Sequence, residues 1–169
     1  MQEGAGQGGI LDLEAFAHAV QRGRRLFGLD VGTKTIGLAL SDVTLMIASG
    51  FDTLMRSKFK ADAEQLIAHA ARQGVGGFVI GLPTNLDGSN GPRAQATRAF
   101  ARNFARMTPL PILLWDERLT TQEAERMLIS ADASRRRRAE VIDKVAATLI
   151  LQGALDRLQM IRDASEHAP

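Results

Sequence analysis

The sequence contains no cysteine. Disulfide frameworks, thiolate zinc sites and cysteine nucleophiles are therefore excluded. Histidine is scarce, and His18, His69 and His167 lie far apart and form no ligand motif, which disfavours a histidine zinc site or a Ser-His-Asp triad. No apolar run reaches the length of a membrane span. The start, Met1 to Gly9, is rich in Gly and Gln and has neither the basic stretch nor the apolar run of a signal peptide. The expectation is a cytoplasmic protein that engages no membrane. A G-x-x-x-x-G-K-[ST] phosphate loop is also missing. What these absences leave open is oxygen-ligand chemistry around a hard cation.

The 169 residues suit one domain with one core. A hydrophobic fraction of 45% and a charged fraction of 24% are ordinary for a globular chain. Net charge is only +2, but the cations cluster. Arg22, Arg24 and Arg25 precede the first strong apolar run, and Arg135, Arg136, Arg137 and Arg138 are consecutive. Such clusters bind phosphates or form a solvated loop.

Residues 1–9 read as a flexible tail. Residues 11–20 have helical spacing, with Leu13, Phe16 and Val20 on one side. Residues 24–31 and 35–41 read as strands joined by a hairpin turn at Gly32, Thr33 and Lys34, with a third strand at 46–54. Residues 60–73 carry a helical face of Ala63, Leu66, Ile67 and Ala70, closed by Gly74. Residues 77–81, wholly apolar and bounded by glycines, fit a buried parallel strand. Residues 82–92 form a loop, and Pro92 opens a helix to about Met107. Residues 112–115 are a second buried strand. Thr120 to Glu123 is a capping box that starts a helix, and a last helix runs from about Val141 to Ile161. The expected architecture is α/β, with a mixed five-stranded sheet and helices on both faces. Residues 1–23 form an N-terminal extension, and 24–163 the domain.

Three acids stand out by position. Asp30 ends an apolar strand just before a glycine turn, and Asp116 and Glu117 end a second apolar strand. Sites in open α/β sheets form beyond the carboxyl ends of parallel strands, so neighbouring strands would bring these carboxylates together. Asp143 has Ala146, Ala147 and Ile150 as helical neighbours, which sets it on or beside an apolar face. A carboxylate there needs a partner, a proton or a metal ion. Small Ala146 and Ala147 would let the helix approach the sheet and carry Asp143 toward Asp30. Each acid also has a plain structural role available: Asp30 as a turn residue, Asp143 as a helix cap, Glu117 as a partner of Arg118. Converging carboxylates suit Mg²⁺ or Mn²⁺. Two such ions about 4 Å apart can activate water and stabilise a leaving oxygen in phosphodiester cleavage.

Four blocks resemble the YqgF (RuvX) family of Holliday junction resolvase-like and pre-16S ribosomal RNA nucleases. They are GLDVGTKTIGLALSD at 28–42, FVIGLPTNLDGS at 78–89, LLWDERLTTQEAERML at 113–128 and VIDKVAATLILQGALD at 141–156. The resemblance runs from about Arg24 to Leu158. It implies a ribonuclease H-like fold, endonuclease activity on structured nucleic acid, and a part in trimming the precursor of small-subunit ribosomal RNA. By motif, Asp30 would be the first-strand metal ligand, Glu117 the acid of the DER block and Asp143 the helix carboxylate, with Asp116 in reserve. Lys34-Thr35 departs from the Lys-Arg or Lys-Ser often found in the first block. Thr35 keeps a hydroxyl but adds no second positive charge.

Around that cluster, Lys34, Asn85, Arg93, Arg118 and the Arg135–Arg138 run are candidate substrate contacts. Arg93 sits at a helix start, where backbone N–H groups also favour anions. Asn85 and Asp87 have turn chemistry as a plain explanation, though the family pattern favours a substrate-facing loop; Thr120 is better explained by helix capping, and Trp115 by the core. The partner that the resemblance implies is nucleic acid, either ribosomal RNA precursor or branched DNA. A homodimer would suit a two-fold junction. Two competing readings are a phosphotransferase, because DVGTKTIG is similar to the phosphate-binding hairpin of the actin and sugar-kinase fold, and a non-catalytic nucleic-acid module. The chain is short for the former, and the full carboxylate set argues against the latter.

Overall fold

The computed structural model describes residues 8–85, 87–119 and 135–167, with backbone alone for 119 and 135–143. The described strands are β1 (Gly9–Leu11), β2 (Arg25–Val31), β3 (Thr35–Ser41), β4 (Ala48–Met55), β5 (Val75–Leu82) and β6 (Pro111–Asp116). The described α-helices are α1 (Leu13–Ala19), α2 (Phe59–Gln73), α3 (Pro92–Ala105) and α4 (Arg135–Glu166). They build one sheet in the order β1-β6-β5-β2-β3-β4. β1, β6, β5 and β2 run parallel, and β3 runs antiparallel to its neighbours β2 and β4.

Alternation along β2 sorts the core into two layers. Leu26 faces the layer with α1 and α4, where it joins Val79, Leu113, Trp115, Ala147 and Leu151. Phe27 and Leu29 face the opposite layer, with Phe78, Ile80, Phe100 and Phe104. Phe78 is central there, its ring 6.3 Å from Phe27 and 4.8 Å from Phe104. Burial of each such side chain contributes roughly 1.5–3 kcal/mol. β5 is buried along its whole length, as a central parallel strand should be.

Gly28 sets how closely α4 approaches the sheet. A methyl group at Gly28 would stand 2.7 Å from the Leu151 Cβ and 2.9 Å from the Ala147 carbonyl oxygen. The close approach expected from small residues on the helix is thus matched by the missing side chain on β2. Ala147, which makes the contact, follows Asp143 by one helical turn.

Two expectations need correction. The sheet has six strands rather than five. Gly9–Leu11, assigned to the tail and the helix start, pairs in parallel with Pro111–Leu113. Three residues carry no readable period, and their partner lies far along the chain. Asp12 follows at once as the cap of α1, accepting from the Ala15 N–H at 2.8 Å. The last helix also begins at Arg135 and ends at Glu166, longer than 141–161. Arginine is a good helix former, so the run continues the helix instead of forming a loop. Asp143 is then interior to α4 and is no N-cap. The capping box at Thr120–Glu123 lies outside the described residues.

Candidate active site

The strand register builds the site. β2 and β5 pair through Leu29 and Ile80, so Asp30 comes level with Gly81 one residue further on. β5 and β6 pair through Gly81 and Trp115 and through Leu82 and Asp116. Asp30, Gly81 and the end of β6 therefore share one edge, at the carboxyl ends of three parallel strands. Asp30 has the same parity as Leu26 and Gly28, which puts it on the α4 side of the sheet.

Glu117 opens a short 3-10 turn directly after β6. A methyl group on Gly81 would stand 2.6 Å from the Glu117 Oε1, so this carboxylate lies over space that the glycine leaves free. Glu117 is half-buried, and its carboxyl is pushed up to about 7. Burial is the main cause, and the negative charge of Asp30 adds to it; the positive charge of Arg93 opposes both, and Asp116 contributes a smaller increase. The two acids thus act on each other through space, as expected of carboxylates that gather at one point.

Asp116 behaves differently from its neighbour. It accepts from the Thr84 hydroxyl at 2.9 Å and from the Arg118 backbone N–H at 3.0 Å, and it forms a salt bridge with the Arg118 guanidinium at 2.5 Å. Arg118 beside it holds its carboxyl down at about 2. Arg118 is therefore a partner of Asp116, which is occupied by protein groups. Glu117 instead carries its Oε1 over Gly81, in the field of Asp30 and Arg93.

Of the expected substrate contacts, Arg93 stands in the first turn of α3, and its Nη2 donates to the Val31 carbonyl at 3.3 Å. Lys34 is exposed in the β2–β3 turn, which the Gly32 N–H closes by donating to the Thr35 carbonyl at 2.8 Å. Asn85 is exposed and spends its side-chain amide on the Ser89 hydroxyl at 2.9 Å, while Asp87 accepts from the Ser89 N–H at 2.9 Å. Asn85 and Asp87 are thus bonded to Ser89, and Gly88 lies beside Arg118. Trp115 is buried in the core. The structure brings Asp30, Glu117 and Arg93 together. The side chains of Asp143, Arg135, Arg136, Arg137 and Arg138 lie outside the described residues.

Sequence reasoning missed Arg56. It follows β4 directly, and its Nη1 donates to the Gly32 carbonyl at 2.7 Å. Its backbone N–H donates to the Lys34 carbonyl at 2.9 Å. No motif marks it, because its partners lie in a turn that precedes it by more than twenty residues.

Among the described residues, no group of three His, Asp or Glu side chains converges as a metal site. The donor set nonetheless fits a hard divalent cation: two carboxylates in each other's field, one of them held near neutrality at the cost of its own charge. No helix of the described residues is long and apolar enough to cross a membrane.

Residues 24–157 match the family profile described as RuvX, Holliday junction resolvase. A relative from Rhodopseudomonas palustris (strain BisB5), named "Putative pre-16S rRNA nuclease", is 59% identical over 152 residues, covering 90% of this chain and 94% of its own. One of the same name from Paracoccus denitrificans (strain Pd 1222) is 57% identical over 150 residues, covering 89% and 95%. Among solved structures, T. thermophilus RuvC in complex with Holliday junction substrate superposes with a TM-score of 0.53 at 13% identity, over 80% of this chain and 96% of that one. At that identity the likeness concerns the fold, which is the ribonuclease H-like arrangement expected from the sequence.

Proposed function

The chain belongs to the RuvX, Holliday junction resolvase family, and from that premise we propose that it is a metal-dependent endonuclease acting on structured nucleic acid, with the 5′ end of the 16S ribosomal RNA precursor as its substrate. The observation that carries the proposal is the Asp30–Glu117 pair at the strand ends, with Glu117 raised to about 7 partly by Asp30. The substrate follows from the relatives' name, and the cytoplasmic location follows from that substrate. The catalytic unit is residues 24–163, and residues 1–23 add an edge strand and a helix to it.

Asp30 and Glu117 would hold Mg²⁺ or Mn²⁺, joined by Asp143 from α4. Such an ion supplies a water of lowered pKa and stabilises charge on the leaving oxygen. The protein's own groups do the rest. Glu117 would be kept in its charged form by the cation and would orient the attacking water from its place over Gly81. Arg93 supplies positive charge next to the carboxylates, suited to a scissile phosphate. Lys34, exposed in its turn, grips the backbone one step away. The four arginines from Arg135 fill the first turn of α4, where cations oppose the helix dipole. Phosphates bound there would relieve that opposition and add a salt-dependent grip.

A second reading, cleavage of four-way DNA junctions, is favoured by the family description. It would call for two active sites, and hence a homodimer. One assay separates the two. A pre-16S RNA fragment and a four-way DNA junction are each incubated with Mg²⁺ or Mn²⁺, using wild type and Asp30→Asn. We expect metal-dependent cuts in the RNA, with Asp30→Asn slower by about 100-fold or more. Junction cleavage alone would favour the second reading. Equal cleavage by both proteins would refute the site.

A further inference from the structure

We infer that Arg56 is a positioning residue, whose guanidinium fixes the β2–β3 turn so that Asp30 and Lys34 are held in working register. The inference rests on the nuclease reading above and adds to it a residue that no motif marks. Arg56 is anchored three ways. Its Nη1 donates to the Gly32 carbonyl at 2.7 Å. Its backbone N–H donates to the Lys34 carbonyl at 2.9 Å. Its guanidinium carbon stands 5.7 Å from the centroid of the Phe100 ring, in cation–π range. Phe100 is itself held edge-on by Phe59, 5.4 Å away.

The turn is clamped from a second side. Arg93, from α3, donates to the Val31 carbonyl, the residue between Asp30 and Gly32. Two guanidiniums from different elements therefore hold consecutive carbonyls directly after Asp30. The backbone here would otherwise be free to flex, since a short turn with an exposed lysine has few apolar contacts of its own. A charged donor on a carbonyl makes a stronger bond than a neutral one. A flat guanidinium can also stack and donate at once, which an ammonium cannot reproduce. Small displacements of a metal-binding carboxylate cost rate steeply, so a clamp beside Asp30 has leverage on the reaction.

The test compares wild type, Arg56→Ala, Arg56→Lys and Phe100→Leu, the last keeping the arginine but weakening its platform. Amide hydrogen exchange is read at Gly32 and Arg56, whose N–H groups are bonded in the turn, with β5 amides as an internal control. Cleavage is read as kcat and KM separately. For Arg56→Ala we expect exchange at Gly32 and Arg56 to quicken about tenfold or more while β5 is unchanged. We expect kcat to fall about tenfold with KM within a factor of three. Arg56→Lys should recover part of kcat, and Phe100→Leu should quicken the same two amides by a smaller factor. Unchanged exchange at the turn would overturn the inference. So would a raised KM with kcat intact, which would make Arg56 a substrate contact. If wild type itself does not cleave RNA, the nuclease reading fails, while the exchange data still decide whether Arg56 clamps the turn.

Discussion

Two carboxylates at opposite ends of the sheet are treated in opposite ways. Asp42 follows β3, at the end away from Asp30, because β2 and β3 run antiparallel. It accepts from the Met46 N–H at 2.8 Å, the Ile47 N–H at 3.0 Å and the Thr44 N–H at 3.2 Å, and the Thr44 hydroxyl also donates to it. Desolvation raises its carboxyl, but those bonds together outweigh it and hold the carboxyl down at about 2. Glu117 is pushed the other way, to about 7, by burial and by Asp30. One acid is satisfied by its own loop and organises the 42–47 segment, whose Leu45 adopts a left-handed φ of 59°. The other sits half-buried at the strand ends, beside a second carboxylate and in the field of Arg93. A carboxyl shifted this far by burial and by a second carboxylate at the strand ends is a candidate for function.

Substitution is the strongest way to break this contrast. Glu117→Gln is expected to lose cleavage by about 100-fold or more, whereas Asp42→Asn should cut at close to the wild-type rate. Comparable losses from both would erase the distinction. Stability should respond in reverse. Asp42→Ala removes the acceptor for several loop N–H groups and should cost about 1–2 kcal/mol by chemical denaturation.

The two acids also predict opposite pH slopes. Asp42 titrates lower in the folded protein than its ordinary 3.8, so its contribution is complete above that value and fades as pH falls toward 2. Glu117 titrates above its ordinary 4.5. The folded protein therefore favours its protonated form, and the associated stability is present below 4.5 and lost as pH rises through 7. Metal-free Glu117→Gln should accordingly be more stable than wild type at pH 8, by about 1 kcal/mol once solvent screening of this partly exposed group is allowed for. That margin should close as pH falls toward 5. A margin independent of pH would assign the gain to packing.

How much of this was legible in the sequence differs element by element. β2 and β5 are apolar runs flanked by glycine, β3 follows the glycine turn, and hydrophobic pattern alone locates them. The parity that turns Asp30 toward α4 follows from the same run. β1 was not legible, because its pairing with β6 is a long-range contact between three residues and a strand a hundred positions away. The roles of Asp116 and Glu117 are also hidden in the chain. Adjacent acids look alike until Arg118 folds back onto one of them. Arg56 was invisible for the same reason: its hydrogen-bond partner is a carbonyl in another turn.

The central claim is that Asp30 and Glu117 serve one cation. Calorimetric titration of Mn²⁺ into wild type, Asp30→Asn, Glu117→Gln and the double variant tests it most directly. The account predicts that each single change weakens binding about tenfold or more, and that the double change costs clearly less than the two losses summed, as for groups that act on one ion. Wild-type affinity in both single variants would contradict it.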